Sequence, residues 1–405
     1  MSKTVARNQH KFAMFTANKQ RSVSMMKQVD LVIAGGGFAG LVCAQAAAIR
    51  GVRTVVTEKN PVPGFRPHTT GLLVKEAADL LDVPARFVHK IHNIRLYSPA
   101  LDSLDLHREG YFFLATDTTA VLAWLARAAH QAGAGMRFHT PVRRVCIRQQ
   151  RVELPEIGLQ ARYLVGSDGA KSKIARLMGL GVNRHFLVGL EAHFRGIRGL
   201  DRDSMHVFID QALAKGYIAW VLPGVAMAGT GECVTQIGLA SRDPRQLSLD
   251  RFIHRIRHLF DFDKARETHR RGGCIPCGGL VKPFYRDQVM LLGDAAGMVS
   301  PLTAGGIHPA LAMGRVAGIA ISDHLLDGGL CPGRLTASAA TTYPIKKLLR
   351  SVADISGNGL LNACFRQPLF RYLAQTVFYH HRGLLAAAAW RDILFANRHP
   401  SSTGQ

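Results

Sequence analysis

Short apolar runs alternate along the chain with longer stretches whose apolar residues recur at helical spacing. Residues 29–34 are β-branched and apolar and are closed by glycines, which predicts a buried parallel strand. Residues 41–50 are Ala-rich and predict a helix stopped at Gly51. Residues 53–58 predict a second strand that ends on Glu58. Pro and Gly make 60–70 a loop, and 72–81 reads as helical. Short strands are expected within 94–111, and an amphipathic helix carrying Trp124 and Leu125 over 118–133. Runs at 142–148 and 163–165 predict strands that rejoin the first sheet. From 186 to 275 the pattern is mixed, with strands expected at 206–209, 218–222 and 235–239. A buried strand at 288–293, a long apolar helix at 308–326 and a basic helical segment from 343 onward complete the chain.

The strand–turn–helix–strand unit at the start carries Gly35, Gly37 and Gly40 in the spacing G-x-G-x-x-G. The first glycine permits the tight turn, the second lets backbone approach a pyrophosphate, and the third lets helix pack on strand. The helix N-terminus then offers free N–H groups and a positive dipole end to the phosphates. Glu58 lies about 20 residues further on, where an acid accepts ribose hydroxyls. A structural glycine turn would not explain that acid, so the unit reads as a dinucleotide site. Phe38 and Ala39 within the turn, Lys59 beside Glu58, and Val145 on the strand expected at 142–148 are further candidate contacts. Arg66 is a candidate for the adenosine phosphates.

Two later segments bear on which dinucleotide is bound. Residues 163–169 form a strand ending in Asp168-Gly169, and residues 291–297 form a strand ending in Gly293-Asp294. Pro301-Leu-Thr-Ala-Gly-Gly-Ile307 follows the second of these. In order and spacing the three motifs resemble the FAD proteins of the aromatic-hydroxylase superfamily, which includes flavin monooxygenases, halogenases and geranylgeranyl reductases. The resemblance covers residues 29–330. It implies FAD, with Asp294 at the ribityl and pyrophosphate region and Gly305, Gly306 and Ile307 at the isoalloxazine edge. Asp168 would be a mostly structural residue, and a helix N-cap is its plain alternative.

Within that superfamily the best local match is the geranylgeranyl reductase group, through Tyr217, Trp220 and Pro223 and through the turn at 301–306. The chain departs from the group at Pro67–Gly71, where a Cys-Gly is usual, and at Thr118, where an Arg is usual. The resemblance implies a FAD-dependent reductase of C=C bonds in a hydrophobic, isoprenoid-like substrate, with NAD(P)H as a transient reductant. The alternative is a FAD-dependent monooxygenase acting on a hydrophobic or aromatic substrate. Ile218, where a halogenase has Trp, weighs against halogenation.

The expected fold is α/β: a Rossmann-type FAD-binding domain interleaved with a mostly antiparallel β-sheet substrate domain, plus C-terminal helices. The FAD-binding parts are 29–66, 116–182 and 283–330; the substrate domain is 67–115 and 183–282. A basic tail, 1–28, precedes them, and a helical region, 331–405, follows.

Candidate catalytic residues are His68, as proton donor or substrate contact, and Tyr217 and Trp220, as cavity wall. Cys274 and Cys277 have C-x-x-C spacing, but no second ligand pair accompanies them, so no metal site is expected and a packed pair is the plain reading. Seven cysteines, an odd count with no secretory segment, fit a reducing compartment. Net charge +23 favours anionic partners, yet no nucleic-acid motif accompanies it, so no nucleic acid is expected. The basic C-terminal region, with Lys346, Lys347, Arg350, Arg366, Arg371, Arg382 and Arg391, is a candidate for peripheral contact with an anionic membrane. The expected location is cytoplasmic. The basic tail reads as an unstructured leader or as a late start at Met25, with a transit peptide as the alternative.

Overall fold

The computed structural model describes residues 26–227, 230–341 and 343–379. The basic tail before Met26, together with Arg382 and Arg391, lies outside the described residues.

The fold is α/β and is built on an eight-stranded sheet centred on Lys27–Ala34. Leu159–Gly166 and Thr54–Thr57 pair with it in parallel, one on each side. Gly135–Arg137 extends the sheet beyond Thr54–Thr57, and Val289–Leu291 extends it beyond Leu159–Gly166. Leu31, Val32 and Ile33 are fully buried, as a parallel strand covered on both faces requires. Helices Phe38–Ile49 and Ile307–Asp327 pack closely, because Gly314 and Gly318 leave no room for a side chain. A Cβ on either would come within 2.6 Å of the carbonyl of Ala39 or Cys43.

A second, seven-stranded sheet runs in the order Arg266–Pro276, Phe186–Arg195, Cys233–Ser241, Ala219–Ala226, Ser204–Phe208, Asn93–Tyr97, Ser103–Leu106. It is antiparallel except where Ser204–Phe208 meets Asn93–Tyr97. A three-stranded sheet of Leu72–Val74, Phe113–Thr116 and Val88–Ile91 lies beside it. Four C-terminal helices, Pro332–Ala339, Pro344–Ile355, Asn358–Phe365 and Pro368–Phe378, complete the described fold.

Two expected elements differ. Residues 72–81 are not one helix: Leu72–Val74 is a strand, and only Lys75–Ala78 is helical. Pairing with Phe113–Thr116 buries Leu73 completely, so tertiary pairing overrides the helical pattern. The strand expected at 142–148 starts only at Cys146 and forms a hairpin with Arg151–Leu154. Residues 142–145 are unpaired chain leading into it.

Candidate active site

The glycine turn is shaped by contacts that exclude side chains. At Gly35, with φ +112°, a Cβ would collide with the carbonyl of Ser167. At Gly40 it would lie 2.5 Å from Ser167 Oγ. Gly37 is different: nothing lies within 4 Å of its would-be Cβ, and it lines a large cavity. Glu58 closes the turn by accepting the Gly36 N–H at 2.8 Å and the Asn60 N–H at 2.9 Å. Phe38, Ala39, Lys59 and Arg66 line the same cavity.

That cavity, about 970 Å³, runs from this turn to the segment 299–310. Asp294 lines it, and burial pushes the carboxyl up to about 6. Gly306, whose added Cβ would stand 3.2 Å from Asp294 Oδ1, caps helix Ile307–Asp327. Gly305, Gly306 and Ile307 line the cavity, so the unpaired N–H groups and positive dipole end of a 21-residue helix border it. The Tyr217 hydroxyl donates to the carbonyl of Thr303 at 2.6 Å, tying this turn to the chain that leads into strand Ala219–Ala226. Burial raises the Tyr217 pKa, so the phenol stays neutral.

One row across the seven-stranded sheet forms a polar wall of the cavity. Arg271 faces Glu191, Glu191 faces Gly238, and Gly238 faces Trp220, on four adjacent strands. Because Gly238 has no side chain, the Trp220 indole lies over it; a Cβ there would be 2.5 Å from Trp220 Cε2. The indole Nε1 thereby donates to Glu191 Oε2 at 3.2 Å. Glu191 also accepts from Thr70 Oγ1 at 2.7 Å, from His193 Nε2 at 3.3 Å and from Arg271. Burial works against ionisation of Glu191, but His193, Arg271 and Thr70 outweigh it and hold its pKa below the ordinary range. Arg271 also donates to the Pro67 carbonyl at 3.1 Å, and His68 Nδ1 lies 2.9 Å from the Gly272 carbonyl. The loop 67–71 is thus clamped to the sheet by groups that sequence reasoning missed. Glu191 and Arg271 each look like an ordinary polar position on a strand and lie far apart in the chain.

The remaining candidates are placed as follows. Asp168 lines the cavity but spends its carboxylate on Ser172 Oγ and the N–H groups of Lys173 and Ile174, which is helix capping. Val145 is not brought to the cavity; Val142, three residues earlier on the unpaired chain, lines it instead. Thr118 is buried, and its hydroxyl lies 3.1 Å from Thr116 Oγ1, against Gly71. Cys274 lines the cavity within strand Arg266–Pro276, whereas Cys277 lies beyond the strand end and accepts from Arg242 Nη1 at 3.2 Å. Both thiols are free, and an extended spacing of three residues is too long for a disulfide. No metal-binding cluster occurs among the described residues.

Comparison with known proteins accords with this geometry. A family model described as "FAD binding domain" matches residues 28–312. The chain belongs to this FAD-binding family. It is 26% identical over 318 residues to digeranylgeranylglycerophospholipid reductase 2 of Methanopyrus kandleri, covering 72% of this chain and 76% of that one. In fold it is similar to a geranylgeranyl bacteriochlorophyll reductase-like protein from Thermoplasma acidophilum, with TM-score 0.76, 19% identity and coverage of 88% and 98%. It is also similar to p-nitrophenol 4-monooxygenase of Pseudomonas putida, with TM-score 0.63, 18% identity and coverage of 92% and 98%. The protein is a FAD-dependent oxidoreductase.

The residues present fit FAD. Gly37 leaves the cavity open where a pyrophosphate would pass, and the Asp294 carboxylate borders it with no hydrogen bond from a side chain among the described residues. Glu58, fixed by two N–H groups, would meet the adenosine half.

Proposed function

We propose that the protein reduces carbon–carbon double bonds in a hydrophobic, isoprenoid-like substrate, with FAD as hydride carrier and NAD(P)H as transient reductant. The observation that carries this reading is the continuity of the cavity. From the turn at 301–307 it extends into a chamber walled by Leu96, Phe113, Met205, Leu222, Phe370 and Val377. That apolar extension suits an extended hydrocarbon.

When bound, FAD supplies the hydride, and a proton must reach the other alkene carbon. Glu58 and Asp294 would hold the cofactor, with Gly37 admitting the pyrophosphate. The N-terminus of helix Ile307–Asp327 favours negative charge beside the turn. Tyr217 positions that turn, since its hydroxyl proton is committed to Thr303. Trp220 shapes the wall rather than reacting. His68 lines the cavity and in this reading supplies the proton. Peripheral contact of the C-terminal region with an anionic lipid surface is compatible with this reading but independent of it. No helix among the described residues is long and apolar enough to cross a membrane.

Incubation of the flavin-loaded protein with NADPH and a polyprenyl lipid under nitrogen tests this. Products that gain two hydrogens without oxygen are expected. Oxygen-dependent gain of one oxygen atom would replace the reading with a monooxygenase, the second reading, which the fold similarity to p-nitrophenol 4-monooxygenase favours.

A further inference from the structure

Helix Pro344–Ile355 sits on the protein the wrong way out for a soluble surface helix. Leu348, Leu349, Val352 and Ile355 are 67%, 37%, 49% and 84% exposed and share one face at helical spacing. The opposite face is polar and turned inward. Arg350 is buried there, donating to Asp354 Oδ1 at 3.0 Å and to the Gly216 carbonyl. That anchor fixes the rotation of the helix and leaves the leucines facing outward. The same exposed apolar character continues in Leu360, 58% exposed, and Leu369, 42% exposed, on the next two helices.

The inner sides of these helices wall the substrate chamber, through Lys346, Ala353, Leu361, Phe370, Ala374 and Val377. Leu373 does both: it lines the chamber and is 37% exposed. Charge identifies what meets the exposed apolar patch. In residues 343–379 Lys347, Arg366 and Arg371 are exposed, with Arg366 3.3 Å from Asp102, while Lys346 lines the chamber and Arg350 is buried against Asp354, the segment's single acid.

We infer that the outward face of helix Pro344–Ile355, with Leu360 and Leu369, docks on an anionic lipid surface, and that substrate passes from the lipid into the cavity beside Leu373. The passage rests on the reductase reading; the docking face does not. Apolar side chains that enter the headgroup boundary and basic residues that meet anionic headgroups act together in such contacts. A second copy of the chain would instead set this basic patch against itself across a twofold axis. The sequence of residues 380–405 is also basic, with Arg382, Arg391 and Arg398 against Asp392, and so lacks complementary charge.

The test uses the full-length, flavin-loaded protein in flotation with phosphatidylcholine vesicles, with and without phosphatidylglycerol. Binding only to the anionic vesicles, weakened by salt, is expected. Combined Leu348→Asp, Val352→Asp and Ile355→Asp should lower binding at least about tenfold while the flavin spectrum is kept, since each residue is exposed and none lines the cavity. If that variant loses flavin, Ile355→Ser alone is the comparison, with a smaller loss expected. No binding by the unmodified protein, or unchanged binding by a flavin-loaded variant, overturns the docking face. So does a dimer of the unmodified protein that the variant converts to monomer in light scattering. A detergent-dispersed polyprenyl lipid separates the two readings. The variant should reduce it at the unmodified rate and fail only on substrate held in vesicles; equal rates on vesicle-held substrate overturn the passage. Failure of the unmodified protein on dispersed substrate counts against the reductase reading and leaves the flotation result standing.

Discussion

Trp220 reaches Glu191 by lying across Gly238, with indole Nε1 3.2 Å from Glu191 Oε2 on a strand two places away. The contact joins a cavity wall to a buried charge cluster, and it exists only because the strand between them carries no side chain in that row. Gly238→Ala should therefore displace the indole and narrow or reroute the cavity while leaving flavin binding intact. The readout is a changed preference among polyprenyl chain lengths, together with a shift in tryptophan fluorescence.

Glu191→Gln should cost about 2–4 kcal/mol at neutral pH, because it leaves the buried Arg271 without its counter-charge. Glu191 is held below its ordinary pKa, so its contribution is complete above about pH 4.3 and is lost as pH falls through the lower folded-state value. Urea denaturation across pH should show the difference between variant and unmodified protein shrinking in acid. A constant difference would mean that the cluster is not electrostatic.

Asp294 has the opposite sign. Burial raises its carboxyl to about 6, above the value in an unfolded chain. The flavin-free fold is therefore favoured below about pH 4 and loses roughly 2–3 kcal/mol as pH rises through about 6. Asp294→Asn should remove that slope in thermal melts of flavin-free protein. It should also weaken FAD binding about ten- to hundredfold, the scale of a hydrogen bond to a charged group.

Gly37 and Gly40 should separate binding from folding. A methyl group at Gly37 meets open space, so Gly37→Ala should keep the melting temperature of the flavin-free protein and lose flavin. A methyl group at Gly40 meets Gly35 and Ser167, so Gly40→Ala should lower that melting temperature by several degrees. Flavin absorbance and melting curves read the two effects independently.

Oxidation should not join Cys274 to Cys277. One thiol lines the cavity and the other accepts from Arg242 past the strand end. Mass spectrometry after mild diamide treatment should find no intramolecular link between them.

Elements whose chemistry is local are legible from the order of residues alone. Gly35 and Gly40 mark a turn with no room for a side chain, Gly37 keeps it open to the cavity, and Glu58 follows at the end of the next strand. The long helix at 307–327 and the Asp294 turn before it are equally local, since helical periodicity and a tight turn are properties of adjacent residues. Only the tertiary structure decided which residues face one another across the cavity. Residues 72–74 became a strand because Phe113–Thr116 lay beside them, and Val142 replaced Val145 at the cavity because pairing starts at Cys146. The row Arg271, Glu191, Gly238 and Trp220 depends on the register of four strands drawn from residues 186–276. Leu348, Val352 and Ile355 share one helical face, and Arg350, buried on the opposite face, leaves them facing solvent. Period-two and helical patterns say which side chains share a face; which face is inward is set by long-range pairing, where a buried ion pair or a missing Cβ outweighs local preference.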